Sequence, residues 1–147
     1  MSSGRDPRVV VIGIGNAARG DDAAGLVAAR RLRALEHEGD PLALLDAWRD
    51  ADVAVLIDAV SSGAEPGTVH RFDASRAPLP APLRRSASTH ALGVAEAIEL
   101  GRALGRLPAR VIVYGIEGER FDAGAALTPA VAAAVAEVAS SVRREAQ

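Results

Sequence analysis

Three short runs rich in Val and Ile constrain this chain more than any other feature. Residues 8–14 (RVVVIGI), 52–60 (DVAVLIDAV) and 110–116 (RVIVYGI) are apolar without strict alternation. A strand with one solvated face alternates, whereas a strand buried on both faces reads as a near-continuous β-branched run. Segments of helical character lie between and after them. Residues 21–35 carry Leu26, Ala29 and Leu32 at helical spacing. Asp40-Pro41 supplies an N-cap followed by proline at the first helical position, predicting a short helix to about Asp50. Thr89 can cap a helix that contains His90 and runs to about Leu104, after a proline-punctuated surface loop (Pro78, Pro80, Pro82) lasting to about Ser88. Thr128-Pro129 opens a last helix with the stripe Val131, Val135, Val138 and Val142. Residues 68–72 alternate and read as a less buried strand. Buried strands alternating with helices predict a single-domain, three-layer α/β/α sandwich with a mostly parallel sheet.

In such sheets ligands bind beyond the carboxyl ends of the strands. That rule draws attention to residues 16–22, 58–62 and 117–121, which are distant in sequence but should meet in space. Composition narrows the chemistry. The 147 residues hold no cysteine, which excludes disulfides, thiolate metal sites and a cysteine nucleophile. With 17 basic and 19 acidic residues the formal charge is −2, without the basic surplus of a nucleic-acid binder. All basic residues are arginine, a compositional bias rather than chemistry. Charges interrupt every long apolar stretch and no charged-then-apolar leader precedes the first strand, so a cytoplasmic location away from membranes is expected. There is no internal repeat, and a monomer needs no special feature.

Asp58 is the residue hardest to explain by packing. It follows Val53-Ala-Val-Leu-Ile57 and ends a strand that should be inside the protein. A carboxylate there costs several kcal/mol unless it is paired, hydrogen-bonded or bound to a cation. Asp21 and Asp22 follow the Gly13-Ile-Gly-Asn16 turn at a helix start, where either can cap the helix while the other faces a cleft. His90 at a helix start would be ordinary alone. With Asp22 and Asp58 it completes an O,O,N set suited to a borderline divalent ion such as nickel or zinc, or to acid–base work without metal. His70 is expected at the surface, and the acidic run Glu36-His37-Glu38-Gly39-Asp40 reads as a solvated loop or part of the same cleft. Glu117 ends the third buried strand and is a substrate-contact candidate. No G-x-S-x-G elbow supports a serine hydrolase.

Residues 13–18 also fit the loose dinucleotide pattern G-x-G-x-x-A, with Glu36 about twenty residues on, so a nucleotide-binding module is the rival reading. A pyrophosphate needs a positive helix N-terminus, and here two aspartates would face it. Peptidyl-tRNA hydrolases also open with a strand and a G-x-G-N turn, but they need a basic surface and a histidine soon after that turn.

Four motifs in order carry a family resemblance: Gly13-Ile-Gly-Asn16 with Arg19-Gly-Asp-Asp22, Val55-Leu-Ile-Asp-Ala-Val60, Ser88-Thr-His-Ala-Leu-Gly93, and Val113-Tyr-Gly-Ile-Glu117. From about Val9 to Val142 the chain resembles the hydrogenase maturation proteases. The resemblance implies a mostly parallel five-stranded sheet with helices on both faces. It implies an endopeptidase, aspartic-type or metal-assisted, that removes a C-terminal peptide from the large-subunit precursor of a nickel–iron hydrogenase after nickel insertion. The metal-contacting residues it implies match Asp22, Asp58 and His90, and the nickel would be the substrate's own, or another divalent ion in the isolated protein. Asn16, Asp21, Glu38, Gly39, Asp40 and Glu117 are the further substrate candidates. A non-cleaving recognition module for the same precursor is the remaining alternative. The chain departs from the family where a second strand is expected. A first helix running to Leu35 leaves only a short edge strand or none, which puts the placement of residues 36–40 near substrate in doubt.

Overall fold

The three Val/Ile runs form the centre of one sheet. The computed structural model describes residues 6–16, 18–84 and 93–146. Its strands are β1 (Val9–Ile14), β2 (Leu35–His37), β3 (Val53–Val60), β4 (Val69–Asp73) and β5 (Arg110–Glu117), in the order β2-β1-β3-β5-β4. β1, β2, β3 and β5 run parallel, and β4 is antiparallel on the β5 edge. The helices are α1 (Ala24–Leu32), α2 (Pro41–Ala47), α3 (Ala81–Arg84), α4 (Val94–Ala103) and α5 (Pro129–Glu145), with a 3₁₀ turn at Gly20–Ala23. Among these residues no helix is long and apolar enough to cross a membrane.

Strand alternation assigns each face. Ala54, Leu56 and Val60 of β3 join Val111 and Val113 of β5 in packing against Leu44, Leu45 and Trp48 beside α2 and Val94, Ala97 and Ile98 of α4. Val55, Ile57 and Ala59 join Ile112, Tyr114 and Ile116 on the opposite face, against α1 and the predicted α5 stripe Val131, Val135, Val138 and Val142. The result is the three-layer sandwich expected. Asp40 caps α2 through Leu42 N, with Pro41 at the first helical position, as its sequence requires.

Three expectations need correction. The first helix ends at Leu32, because Arg33 turns left-handed (φ 54°) and Ala34 N–H closes on the Ala29 carbonyl. This releases Leu35–His37, which forms a three-residue edge strand rather than helix. The proline-rich segment is not purely surface either: Leu79 and Leu83 are buried in the α2–α4 core, and α3 forms within it. The helix expected from Thr89 begins, among the described residues, at Val94 with Gly93 as N-cap. Thr89 and His90 themselves lie outside the described residues.

Two glycines let α1 approach the sheet at backbone distance. A Cβ on Gly13 would stand 2.0 Å from the Gly25 carbonyl oxygen, and a Cβ on Gly25 would stand 2.3 Å and 2.4 Å from the Ile57 and Ile14 oxygens. Neither obstruction is a side chain that can swing away. Gly25→Ala should therefore push α1 off the ends of β1 and β3, costing about 1–3 kcal/mol. Thermal unfolding should show a Tm lowered by roughly 2–12 °C; an unchanged Tm would contradict this packing.

Candidate active site

The close approach of α1 carries Asp21 and Asp22 onto the carboxyl end of the sheet. Both sit in the 3₁₀ turn, which packs against β3. Gly15, at the end of β1, lies directly under Asp22: a Cβ there would be 2.0 Å from the Asp22 carbonyl oxygen. Asp58, near the end of β3, follows Ile57, whose carbonyl touches Gly25. Asp22 is 0% and Asp58 3% exposed, so two carboxylates are enclosed on neighbouring elements. Burial on this scale strengthens every electrostatic interaction they make, including that with a cation.

Asp58 shares its sheet face with Val60 and with the core of α3 and α4. Its register partner on β5 is Gly115, and on the next strand His70 also pairs with Gly115. Leu83 lies over that glycine, where a Cβ would meet Leu83 Cδ2 at 2.3 Å. A wall of Leu83 and Val60 thus stands between Asp58 and His70.

The hydrogenase maturation protease family matches residues 39–145 of this sequence. The chain belongs to that family. The hydrogenase expression/formation protein HupD of Thiocapsa roseopersicina is 31% identical over 137 residues, covering 86% of this chain but 62% of that relative. HupD of Rhodobacter capsulatus is 28% identical, covering 97% of this chain and 75% of the relative. The solved [NiFe] hydrogenase maturation protease HybD from Thermococcus kodakarensis superposes with a TM-score of 0.75 at 28% identity, over 95% of this chain and 99% of that one. The hydrogenase maturating endopeptidase HybD from E. coli gives 0.73 at 26% identity, over 94% and 93%.

Within this family frame the structure separates the two neighbouring aspartates. Asp22 stays at the sheet end. Asp21, also 0% exposed, turns toward the β5–α5 connection. Its Oδ2 accepts Glu119 N–H (2.8 Å), Arg120 N–H (2.9 Å) and the Thr128 hydroxyl (3.0 Å), while Oδ1 accepts Thr128 N–H (2.8 Å). Burial by itself would raise the Asp21 pKa, yet the backbone donors of Arg120, Thr128 and Glu119 outweigh it and hold the carboxyl below the usual aspartate value. This side chain ties the 3₁₀ turn to residues nearly a hundred positions away, a structural use for a residue considered above as a substrate contact.

Glu117 is likewise held inside. It is 1% exposed and accepts hydrogen bonds from Ser62 N–H (3.2 Å) and the Ser62 hydroxyl, with His70 Nε2 at 3.2 Å. His70 is therefore half-buried on a carboxylate rather than a free surface residue, with its side chain 24% exposed. Nothing local in the sequence links these three; only the β3–β5–β4 register brings them together.

Asn16, Glu38 and Asp40 do converge. They line a cavity of about 640 Å³ at the ends of β1 and β2, together with Gly15, Glu36 and His37. Gly39 is buried beside them in a left-handed turn (φ 101°) that favours glycine. The short β2 thus keeps residues 36–40 at the sheet end, next to the Asn16 turn. Among the described residues no three His, Cys, Asp or Glu side chains stand together as a metal site. Asp22 and Asp58 are the described members of the expected set, and His90 lies outside the described residues.

Because the folded Asp21 pKa is depressed, its stabilisation is present above the unfolded value of about 3.9 and is lost as pH falls through the lower folded value. Asp21→Asn should lower Tm at pH 7 by roughly 3–12 °C, the scale of bonds to a charged acceptor. The gap from the native protein should narrow below about pH 4. Equal Tm values at pH 7 would contradict the assigned tie.

Proposed function

We propose that this protein is a cytoplasmic endopeptidase that removes the C-terminal extension of a nickel–iron hydrogenase large-subunit precursor once nickel has been inserted. The observation that carries the proposal is the burial of Asp22 and Asp58 on adjoining elements at the carboxyl end of a maturation-protease fold. Two carboxylates, with an imidazole from His90, form a donor set matched to a borderline divalent ion. On this reading the nickel is part of the substrate, and the protease lends ligands to it.

The chemistry assigned to the chain is modest in steps. Asp22, Asp58 and His90 engage the nickel-bearing segment and so fix the peptide that follows it. That fixation converts an encounter between water and an amide into a reaction of held partners. Water adds to the scissile carbonyl carbon, and its proton passes through a carboxylate to the departing amine as the C–N bond breaks. The products are the trimmed large subunit and a free peptide. The cavity lined by Asn16, Glu38 and Asp40 shares Gly15 with the Asp22 backbone contact and gives the extension a place to lie.

Asp58→Asn keeps the side-chain volume and removes the charge. Processing of a nickel-loaded precursor, followed by the mobility shift of the large subunit, should fall by on the order of 100-fold or more, with Tm held. Asp22→Asn should do the same. Native rates in both variants would overturn the proposal.

A further inference from the structure

Two side chains at the ends of β1 and β2 each have an acceptor atom engaged by a backbone N–H and a donor left over. His37 ends β2, and its Nδ1 accepts the Gly39 N–H at 2.9 Å. A ring nitrogen that accepts carries no hydrogen, so the neutral ring keeps its proton on Nε2. Asn16 is held in a similar way: its Oδ1 accepts the Ala18 N–H at 2.9 Å, which leaves the Nδ2 hydrogens to be donated elsewhere. Both residues line the 640 Å³ cavity, and no described residue takes the hydrogens of His37 Nε2 or Asn16 Nδ2.

The charge around these donors selects what they can bind. Glu36, Glu38 and Asp40 line the same cavity. Glu36 is paired with Arg30 at 3.0 Å, Asp40 Oδ1 is turned to the α2 N-terminus, and Glu38 is exposed, with no bond to His37 or Asn16 among the described residues. Against the one arginine in the lining, Arg30, these three carboxylates leave an acidic surround that opposes a phosphate or carboxylate ligand. Donors set among carboxylates favour a neutral acceptor. An extended peptide offers one backbone carbonyl per residue, and β2 is the edge strand of the sheet, with no strand paired to its outer side among the described residues.

We infer that His37 is a substrate-binding residue: Nε2–H donates to a backbone carbonyl of the precursor's C-terminal segment, with Asn16 Nδ2 as a second donor. The inference rests on the cleavage reading above and gives a specific role to His37, which the sequence reading named only as part of the acidic run 36–40. It also explains why Nδ1 is bonded to Gly39, since that bond fixes both the tautomer and the ring's direction.

The test separates the two ends of the ring. His37→Asn retains an acceptor near the Nδ1 position and removes the outer donor. His37→Gln places an amide N–H near the Nε2 position and gives up the Gly39 bond. With nickel-loaded precursor as substrate, His37→Asn should raise KM about 3- to 10-fold, the worth of one neutral hydrogen bond, with kcat and Tm unchanged. His37→Gln should return KM to within about 2-fold of native. Long-range ¹H–¹⁵N NMR of the native protein should show neutral His37 protonated at Nε2. A native KM in His37→Asn, equal KM losses in both variants, or an Nδ1-protonated ring would each overturn the inference while leaving the cleavage reading intact. A native protein that cleaves no precursor would overturn the cleavage reading and this inference with it.

Discussion

The contact on which the rest depends is made by backbone, not by side chains. Gly13, Gly15 and Gly25 remove three Cβ atoms that would otherwise lie 2.0–2.4 Å from carbonyl oxygens of the opposing segment. The 3₁₀ turn and the start of α1 can therefore rest on the ends of β1 and β3. That brings the Asp22 backbone against Gly15 and sets its side chain on an element packed against the strand that carries Asp58. With ordinary residues at these positions the helix would stand further out, and the two carboxylates could not share one end of the sheet. The glycine pattern that loosely imitates a dinucleotide loop thus has a packing meaning here, and the fully buried aspartates above it oppose a phosphate.

The adjacent aspartates divide two tasks between them. Asp21 accepts four hydrogen bonds from residues 119, 120 and 128, and these hold its carboxyl below the usual aspartate range. It fixes the turn from the far side and leaves Asp22 at the sheet end. Glu117 has a similar supporting place on β5, closed off by Ser62 and His70. A site made of buried carboxylates needs such bracing, because repulsion and desolvation would otherwise push the turn outward.

What was legible in the sequence followed from patterns with enough length to be unambiguous. The unbroken runs of β1, β3 and β5, the Val stripe of α5 and the Asp40-Pro41 start of α2 all appear where local chemistry demands them. Asp58 stood out because a charge inside such a run has few structural explanations, and it is indeed buried. β2 was hard to read because it is three residues long, with Leu35 49% exposed, and carries no apolar run. The end of α1 carries no local signal because a non-glycine residue, Arg33, adopts the left-handed cap. The uses of Asp21, Glu117 and His70 depend on pairing across the fold, and no local signal announces them. His37 had one local cue, Gly39 two residues on, which permits the turn that returns a backbone N–H to its ring.

The central claim is that two buried carboxylates read nickel on a precursor and thereby hold its peptide for water. Its most direct test is incubation of the purified native protein with the large-subunit precursor in nickel-loaded and nickel-free forms, followed by mass spectrometry of the large subunit. The account predicts loss of the C-terminal extension from the loaded form alone. Equal cleavage of both forms, or cleavage of neither, would contradict it.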